Sequence, residues 1–129
     1  AVRYLEPRVS NATAVGINSR SVPQAREAID QAIRTDRATA SAGFRLTQET
    51  ANQTGVVLYA PIYDGQPTHE AQRRAAARGV ALVTLRMDDT LAAFQGSGPP
   101  YLHACLIDTD PRSEFRRLAG EPGCEDRTL

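Results

Sequence analysis

Few side chains in this sequence have the type and spacing that catalysis or metal binding requires. His69 and His103 are the only two histidines, and they lie far apart, without the close spacing typical of metal ligands. Asp88 and Asp89 are adjacent carboxylates, but acidic residues at the start of an apolar segment are more typical of helix capping. No Ser-His-Asp or Cys-His arrangement stands out. A hydrolase or transferase is therefore the least favoured function, and the sequence predicts neither a metal site nor a cofactor.

Two cysteines, Cys105 and Cys124, leave two interpretations open. In an oxidising compartment they could pair across a loop of about 20 residues, which would stabilise the fold by roughly 3 kcal/mol in the loop-entropy account. In the cytosol they would remain free thiols. Without a Cys-x-x-Cys spacing, a metal site built on these two residues is not expected.

Composition narrows the class of protein. The 129 residues suffice for one domain or slightly more. With no Trp and 5% aromatic residues, the core must be built from Ala, Val, Leu and Ile. The 15 basic residues, all Arg and scattered, balance 15 acidic ones, which argues against a nucleic-acid partner. No apolar run approaches the roughly 20 residues that cross a bilayer, and the residues from Ala1 onward are not expected to form a signal peptide.

The residues after Ser21 predict an amphipathic helix. Ser21 and Gln24 fit a capping box, and Pro23 is favourable in the first turn. Asp30 and Arg34 are spaced to form an ion pair on the exposed face. Apolar side chains recur at helical spacing and form the predicted buried stripe: Val22, Ala25, Ala28, Ile29, Ala32 and Ile33.

The rest of the chain alternates between strand and helix patterns. Strands are predicted at residues 14–17, 38–46, 55–63, 80–85 and 101–107, and helices at residues 68–78, 88–94 and 113–118. Gly79 is predicted to lie just past one helix, and Asp88 or Asp89 to cap the next. Interleaved strands and helices of this kind predict an α+β sheet domain.

A series of short motifs in this sequence resembles one known family. The order and spacing of these motifs, over residues 4–95, are similar to those of the CHASE domain. That domain is the extracytoplasmic ligand sensor of many membrane-bound histidine kinases and nucleotide cyclases. The motif residues are Asn11, Ala14, Gly16 and Arg26; Leu46, Gln48, Glu49 and Thr50; Gly55, Pro61 and Tyr63; Gln72, Arg73, Arg74 and Ala75; and Arg86, Met87, Asp88 and Asp89.

The resemblance implies a domain plan. CHASE domains have two PAS-like α+β units, with antiparallel sheets and flanking helices, after a helical stalk that has no counterpart in this sequence. Residues 1–95 would be the membrane-distal sensor unit, and the Gly-Ser-Gly-Pro-Pro run at residues 96–100 the linker. Residues 101–129 would be the start of the membrane-proximal unit and a tail.

The resemblance also implies a ligand pocket in the distal unit. Asn18 stands where the family's cytokinin receptors have an Asp, and since Asn carries no charge, this argues against a cytokinin-like ligand. Ala60 replaces an aromatic residue, which would enlarge or reshape the pocket. Turn formation by Asn18 and core packing by Tyr59 are the alternative interpretations. The predicted ligand-binding residues are Asn18, Ala40, Ser41, Thr50, Tyr59, Ala60, Val80 and Val83.

The function that the resemblance implies is a periplasmic domain that senses an unknown small molecule. It would pass ligand occupancy to a cytoplasmic histidine kinase or diguanylate cyclase, without enzymatic activity of its own. The alternative is a ligand-free structural or dimerisation domain of the same receptor family. In either case a homodimer is expected in the full-length receptor, at the periplasmic side of the inner membrane. Contact with the membrane would run only through flanking helices absent here, and no nucleic acid is expected as a partner.

Overall fold

The computed structural model describes residues 2–6, 16, 18–45 and 53–127. Three α-helices and six strands follow each other in this part of the chain. The helices are α1 (Pro23–Thr35), α2 (Glu70–Ala76) and α3 (Met87–Gly96). The strands are β1 (Thr39–Ala40), β2 (Phe44–Arg45), β3 (Thr54–Tyr63), β4 (Ala77–Arg86), β5 (Leu106–Ile107) and β6 (Arg117–Ala119). The strand predicted at residues 14–17 lies outside the described residues, apart from Gly16.

The long antiparallel pair of β3 and β4 forms the centre of the main sheet. Val57 pairs with Thr84, and Tyr59 pairs with Leu82, which fixes the register along most of both strands. On the other edge of β3, β1 pairs at Leu58 and Tyr59, and β2 pairs at Thr54 and Gly55. The predicted strand at residues 38–46 is therefore two short strands, and the predicted strand at 55–63 is confirmed as β3.

Helix α1 packs on one face of this sheet and forms the first core cluster. Its buried residues are Ala25, Ala28, Ile29 and Ala32, as the predicted stripe required. Small Ala side chains let the helix approach the sheet closely, so that it contacts Val57 and Tyr59 of β3. Val22, also assigned to the stripe, is instead 39% exposed because it lies at the N-cap position, before the helix begins.

Two local predictions for α1 are wrong. Ser21 does not form a capping box: it ends a 3-10 turn (Ser19–Ser21), and its Oγ donates to the Asn18 carbonyl at 2.7 Å. Asp30 does not pair with Arg34, since its Oδ1 accepts from Arg20 Nη2 at 2.6 Å. The 3-10 turn brings the Arg20 side chain back alongside the helix. The pair of Arg20 and Asp30 could not be predicted from the rule that pairs residues four positions apart in a helix.

Backbone carbonyls at the C-terminal end of α1 accept hydrogen bonds from side chains of other elements. Tyr63 Oη donates to the Ile33 carbonyl at 2.6 Å, and Arg73 Nε donates to the Arg34 carbonyl at 2.7 Å. Burial raises the pKa of Tyr63, and the nearby Asp36 carboxylate raises it further. The last carbonyls of a helix have no intrahelical partner. Side chains from β3 and α2 therefore supply hydrogen-bond donors to two of these carbonyls in α1.

The helix predicted at residues 68–78 is shorter in the structure, because β4 begins within it. His69 Nδ1 accepts from Gln72 N at 3.4 Å, which caps α2. After Ala76 the backbone becomes extended, and β4 pairs with β3 from Ala77 onward. Gly79 was predicted to follow the helix but lies inside β4, opposite Ile62. Pairing with a long central strand outweighs the helical propensity of the Ala-rich segment.

The C-terminal quarter of the chain folds back on the sheet. The small sheet of β5 and β6 packs with α3 against Val56 and Leu85, forming a second core cluster with Met87, Leu91 and Ala119. Gly43 lies so close to this segment that an added Cβ would stand 2.7 Å from Leu118 Cδ2. The second cluster thus contains residues from before and after positions 96–100.

Three further predictions for this region are corrected. Residues 113–118 do not form a helix, since Arg117–Ala119 is β6 and pairs with β5. The strand predicted at 101–107 is reduced to Leu106–Ile107. Asp88 and Asp89 lie in the first turn of α3, but the N-cap is Arg86 and no side chain caps this helix.

The fold class is confirmed as α+β: helices flank antiparallel sheets, an arrangement consistent with a PAS-like domain. The boundary at residues 96–100 and the second PAS-like unit stay predictions.

Candidate functional site

Three of the predicted ligand-binding residues lie on the side of the sheet that α1 covers. Ser41 is buried, and its Oγ accepts from Val57 N at 3.0 Å. Tyr59 is 2% exposed within the first core cluster, and burial raises the pKa of its hydroxyl. Val80 is half-buried against the same cluster. Tyr59 and Val80 thus help to pack the helix against the sheet, whereas the Ser41 hydroxyl is bound to the backbone of β3.

Three others lie on the opposite face. Ala60 pairs with Ala81, Leu58 pairs with Val83, and Ala40 pairs with Leu58, so that their side chains point to the same side. Near Val56 and Leu85 this side is covered by the second cluster, but beyond that it is exposed. We call the exposed part the open half-face; it comprises Ala40, Leu58, Ala60, Ile62, Ala81 and Val83.

The remaining two predicted residues are not in either group. Asn18 is exposed, and its Oδ1 accepts from Arg20 N at 3.2 Å, which caps the 3-10 turn before α1. Thr50 lies outside the described residues. The predicted set is therefore divided between two sides of one sheet, and the side chains of Asn18 and Ser41 already have hydrogen-bond partners within the protein.

A pocket of about 630 Å³ lies elsewhere, between α3, β5 and the segment after β6. Leu91 and Ala104 of the second cluster line it together with Ile107, and its charged side chains include Asp88, Glu121 and Arg127. None of the described residues predicted to bind ligand lines this pocket. Its volume is in the range of small-molecule sites.

One wall of this pocket is a disulfide between Cys105 and Cys124. It joins the start of the small sheet to the 3-10 turn at Cys124–Asp126. Gly120 makes the close approach possible: its φ is +127°, and an added Cβ would lie 2.8 Å from Cys124 Sγ. Any side chain at this position would displace the disulfide or the backbone.

Two other kinds of site are not found in the described part of the chain. No group of three or more His, Cys, Asp and Glu side chains there has a geometry that could hold a metal ion. None of the helices described is long and apolar enough to span a membrane.

Comparison with models of protein families gives a match for this chain. The model of one family, the CHASE domain, matches residues 1–117 of the 129. The chain belongs to the CHASE domain family. The resemblance predicted from the motifs is thereby confirmed, and the match extends past residues 96–100, where the motif resemblance had ended. Among curated proteins, none matches the chain significantly.

CHASE domains are extracytoplasmic sensor domains of receptors. The extracytoplasmic character of the family fits a periplasmic location and also fits the Cys105–Cys124 disulfide, because such bonds persist in oxidising compartments. In this CHASE domain the motif residues Gly55, Pro61 and Tyr63 all lie on the central strand β3.

Sequence reasoning did not find the disulfide-walled pocket. Its residues lie in α3, in β5 and near the chain's end, and they share no motif. The spacing of the two cysteines was the available signal, because a disulfide there brings Cys124 back to Cys105.

Proposed function

We propose that this CHASE domain binds a small molecule on the periplasmic side of the inner membrane and reports its occupancy to a cytoplasmic output domain. The output would be a histidine kinase or a diguanylate cyclase, and the domain itself would perform no catalysis. Family membership over residues 1–117 is the observation that carries this proposal. The full-length receptor would act as a homodimer, in which ligand shifts the balance between two arrangements.

The open half-face is the best candidate for the ligand's apolar wall. Leu58 is 39% exposed and Val83 is 57% exposed, whereas equivalent positions on the other side of the sheet are buried under α1. Binding of an apolar ligand group would remove this surface from water, at about 25 cal/mol for each Å² buried. Small side chains at Ala60 and Ala81 leave room for such a group.

A thermal-shift screen with small metabolites tests the proposal. At least one compound should raise the melting temperature, since a ligand that binds only the folded state stabilises it. Ala60→Phe would fill the open half-face and should abolish that shift. Ala93→Phe on the exposed side of α3 is the matched control and should preserve it. A shift that persists unchanged in Ala60→Phe would refute this placement of the ligand, and no shift with any compound would refute sensing.

A ligand-free structural or dimerisation domain is the second candidate. The packing of Tyr59 under α1 and the hydrogen bonds of Ser41 and Asn18 favour it, because these side chains already pack or hydrogen-bond within the protein. In that case the open half-face would contact a second copy. The same Ala60→Phe variant would then alter the molecular mass measured by light scattering, without any compound affecting the melting temperature.

A further inference from the structure

The disulfide-walled pocket combines an apolar floor with an excess of negative charge. Leu91, Ala104 and Ile107 supply the floor, and Leu91 is only 7% exposed. Among the residues that the structure describes, the charged lining comprises three carboxylates, those of Asp88, Glu121 and Glu125, and one guanidinium, that of Arg127. These four described side chains sum to two negative charges, whereas the acidic and basic residues of the whole chain balance.

The three carboxylates differ in how far the protein already neutralises them. Glu125 is held by Arg117 at 3.3 Å, and Glu121 lies 4.0 Å from Arg127. Asp88 makes no ion pair or hydrogen bond with another residue in the described ranges. It lies in the first turn of α3, beside the pocket.

We propose that this pocket is a second binding site, which takes a small organic cation with an apolar body. The cationic group would lie at Asp88 and Glu121, and the apolar body would lie on Leu91 and Ile107. A ligand of this kind satisfies both halves of the lining, whereas an anion of the same shape would meet the uncompensated carboxylate. The site is separate from the open half-face, so it goes beyond the sensing function proposed above.

The disulfide is part of the proposed site. Cys124 and the residues around it form one side of the pocket, and the bond to Cys105 holds that side in place. When the bond is reduced, the segment after β6 loses its covalent link to β5. The affinity for the cation should therefore fall on reduction.

Calorimetric titration with three probes of one shape tests the charge preference. 2-Phenylethylammonium should bind the oxidised protein, 2-phenylethanol more weakly, and phenylacetate not detectably. Asp88→Asn should weaken the binding of 2-phenylethylammonium about fivefold. This corresponds to about 1 kcal/mol, which is the upper end of what an exposed ion pair contributes. The matched control is Asp89→Asn on the same helical turn, because Asp89 contacts Gln53 and Arg86 and does not line the pocket.

Each outcome decides the proposal. It is overturned if 2-phenylethylammonium fails to bind, if the three probes bind alike, or if Asp89→Asn weakens binding as much as Asp88→Asn. Ala60→Phe should leave cation binding unchanged, so that failure here and failure of the sensing proposal are distinguishable. If reduction unfolds the protein, Glu121→Gln provides the second test and should also weaken cation binding under oxidising conditions.

Discussion

Arg112 forms several hydrogen bonds on the surface of the C-terminal segment. Its backbone N and Nε donate to Asp110 Oδ1 at 3.0 and 3.1 Å, and its Nη2 donates to Asp110 Oδ2 at 2.8 Å. Its Nη1 reaches Glu27 Oε1 of α1 at 2.8 Å. Because these hydrogen bonds favour the ionised carboxylate, they lower the pKa of Asp110 from 3.8 to about 2.

The direction of this shift predicts a pH dependence. The pKa of Asp110 is lower in the folded protein than in the unfolded chain, so its contribution to stability is present above pH 3.8 and is lost as the pH falls towards 2. Arg112→Gln should raise the pKa of Asp110 towards its ordinary value, because the side-chain hydrogen bonds are lost and the bond from the backbone N remains; NMR titration of the carboxyl carbon measures the shift. Arg78→Gln, whose partner is Asp64, should leave it unchanged. An Asp110 that titrates near 3.8 in the unmodified protein would contradict this prediction.

Residue chemistry was the part of the site least accessible from sequence. Asn18 is the clearest case: the resemblance placed it in the pocket, the alternative interpretation was that it closes a turn, and in the structure its side chain caps the 3-10 turn. Both interpretations were consistent with the residue type. The choice depends on which donors are near, and Arg20 N is the nearest of these because of the turn's backbone geometry.

At the scale of elements, α1 and β3 carry most of the core. Four residues of α1 and two of β3 form the first cluster, and the helix was predicted correctly because its apolar spacing is independent of anything distant in sequence. Strand β6 and the end of α2 were predicted wrongly for the opposite reason. Their conformations depend on partners, since β6 pairs with β5, and residues 77–79 pair with β3.

Because α1 supplies most of the first core cluster, a substitution in its buried face should lower the stability of the fold. Ile29 is 5% exposed between the helix and the sheet, so Ile29→Ala should lower the free energy of unfolding by about 3 kcal/mol through lost transfer energy and the cavity that remains. Val22→Ala, outside the helix at a position 39% exposed, is the control and should cost less than about 1 kcal/mol. Urea unfolding measures both values. Equal losses would mean that α1 does not pack as described.

At the scale of the whole molecule, three elements cover the sheet unequally. Helix α1 covers one side, whereas α3 with the small sheet covers only the end of the other side, around Val56 and Leu85. The uncovered remainder is the open half-face, and the gap between α3 and the disulfide-linked segment is the pocket. The open half-face therefore results from incomplete coverage of the main sheet, whereas none of the described residues that line the pocket belongs to that sheet.

The disulfide should contribute to the stability of the whole chain. Cys105 and Cys124 are 19 positions apart, and a loop of this length should stabilise the folded state by about 3 kcal/mol in the loop-entropy account. Urea unfolding with and without a thiol reductant measures the difference. The Cys105→Ser, Cys124→Ser double variant should resemble the reduced protein and be insensitive to reductant. Unfolding curves that coincide for oxidised and reduced protein would contradict the prediction.

The family, the α+β class, the amphipathic helix α1 and the central strand β3 could all be predicted from the sequence. Each of these depends on local periodicity or on a series of motifs, and both are properties of the order of residues along the chain. The division of the predicted ligand residues between two sides of the sheet, and the pocket beside Cys105 and Cys124, became apparent only in the folded protein. A pocket is made by residues from separate segments, and their distances follow from packing and register rather than from their spacing in the sequence.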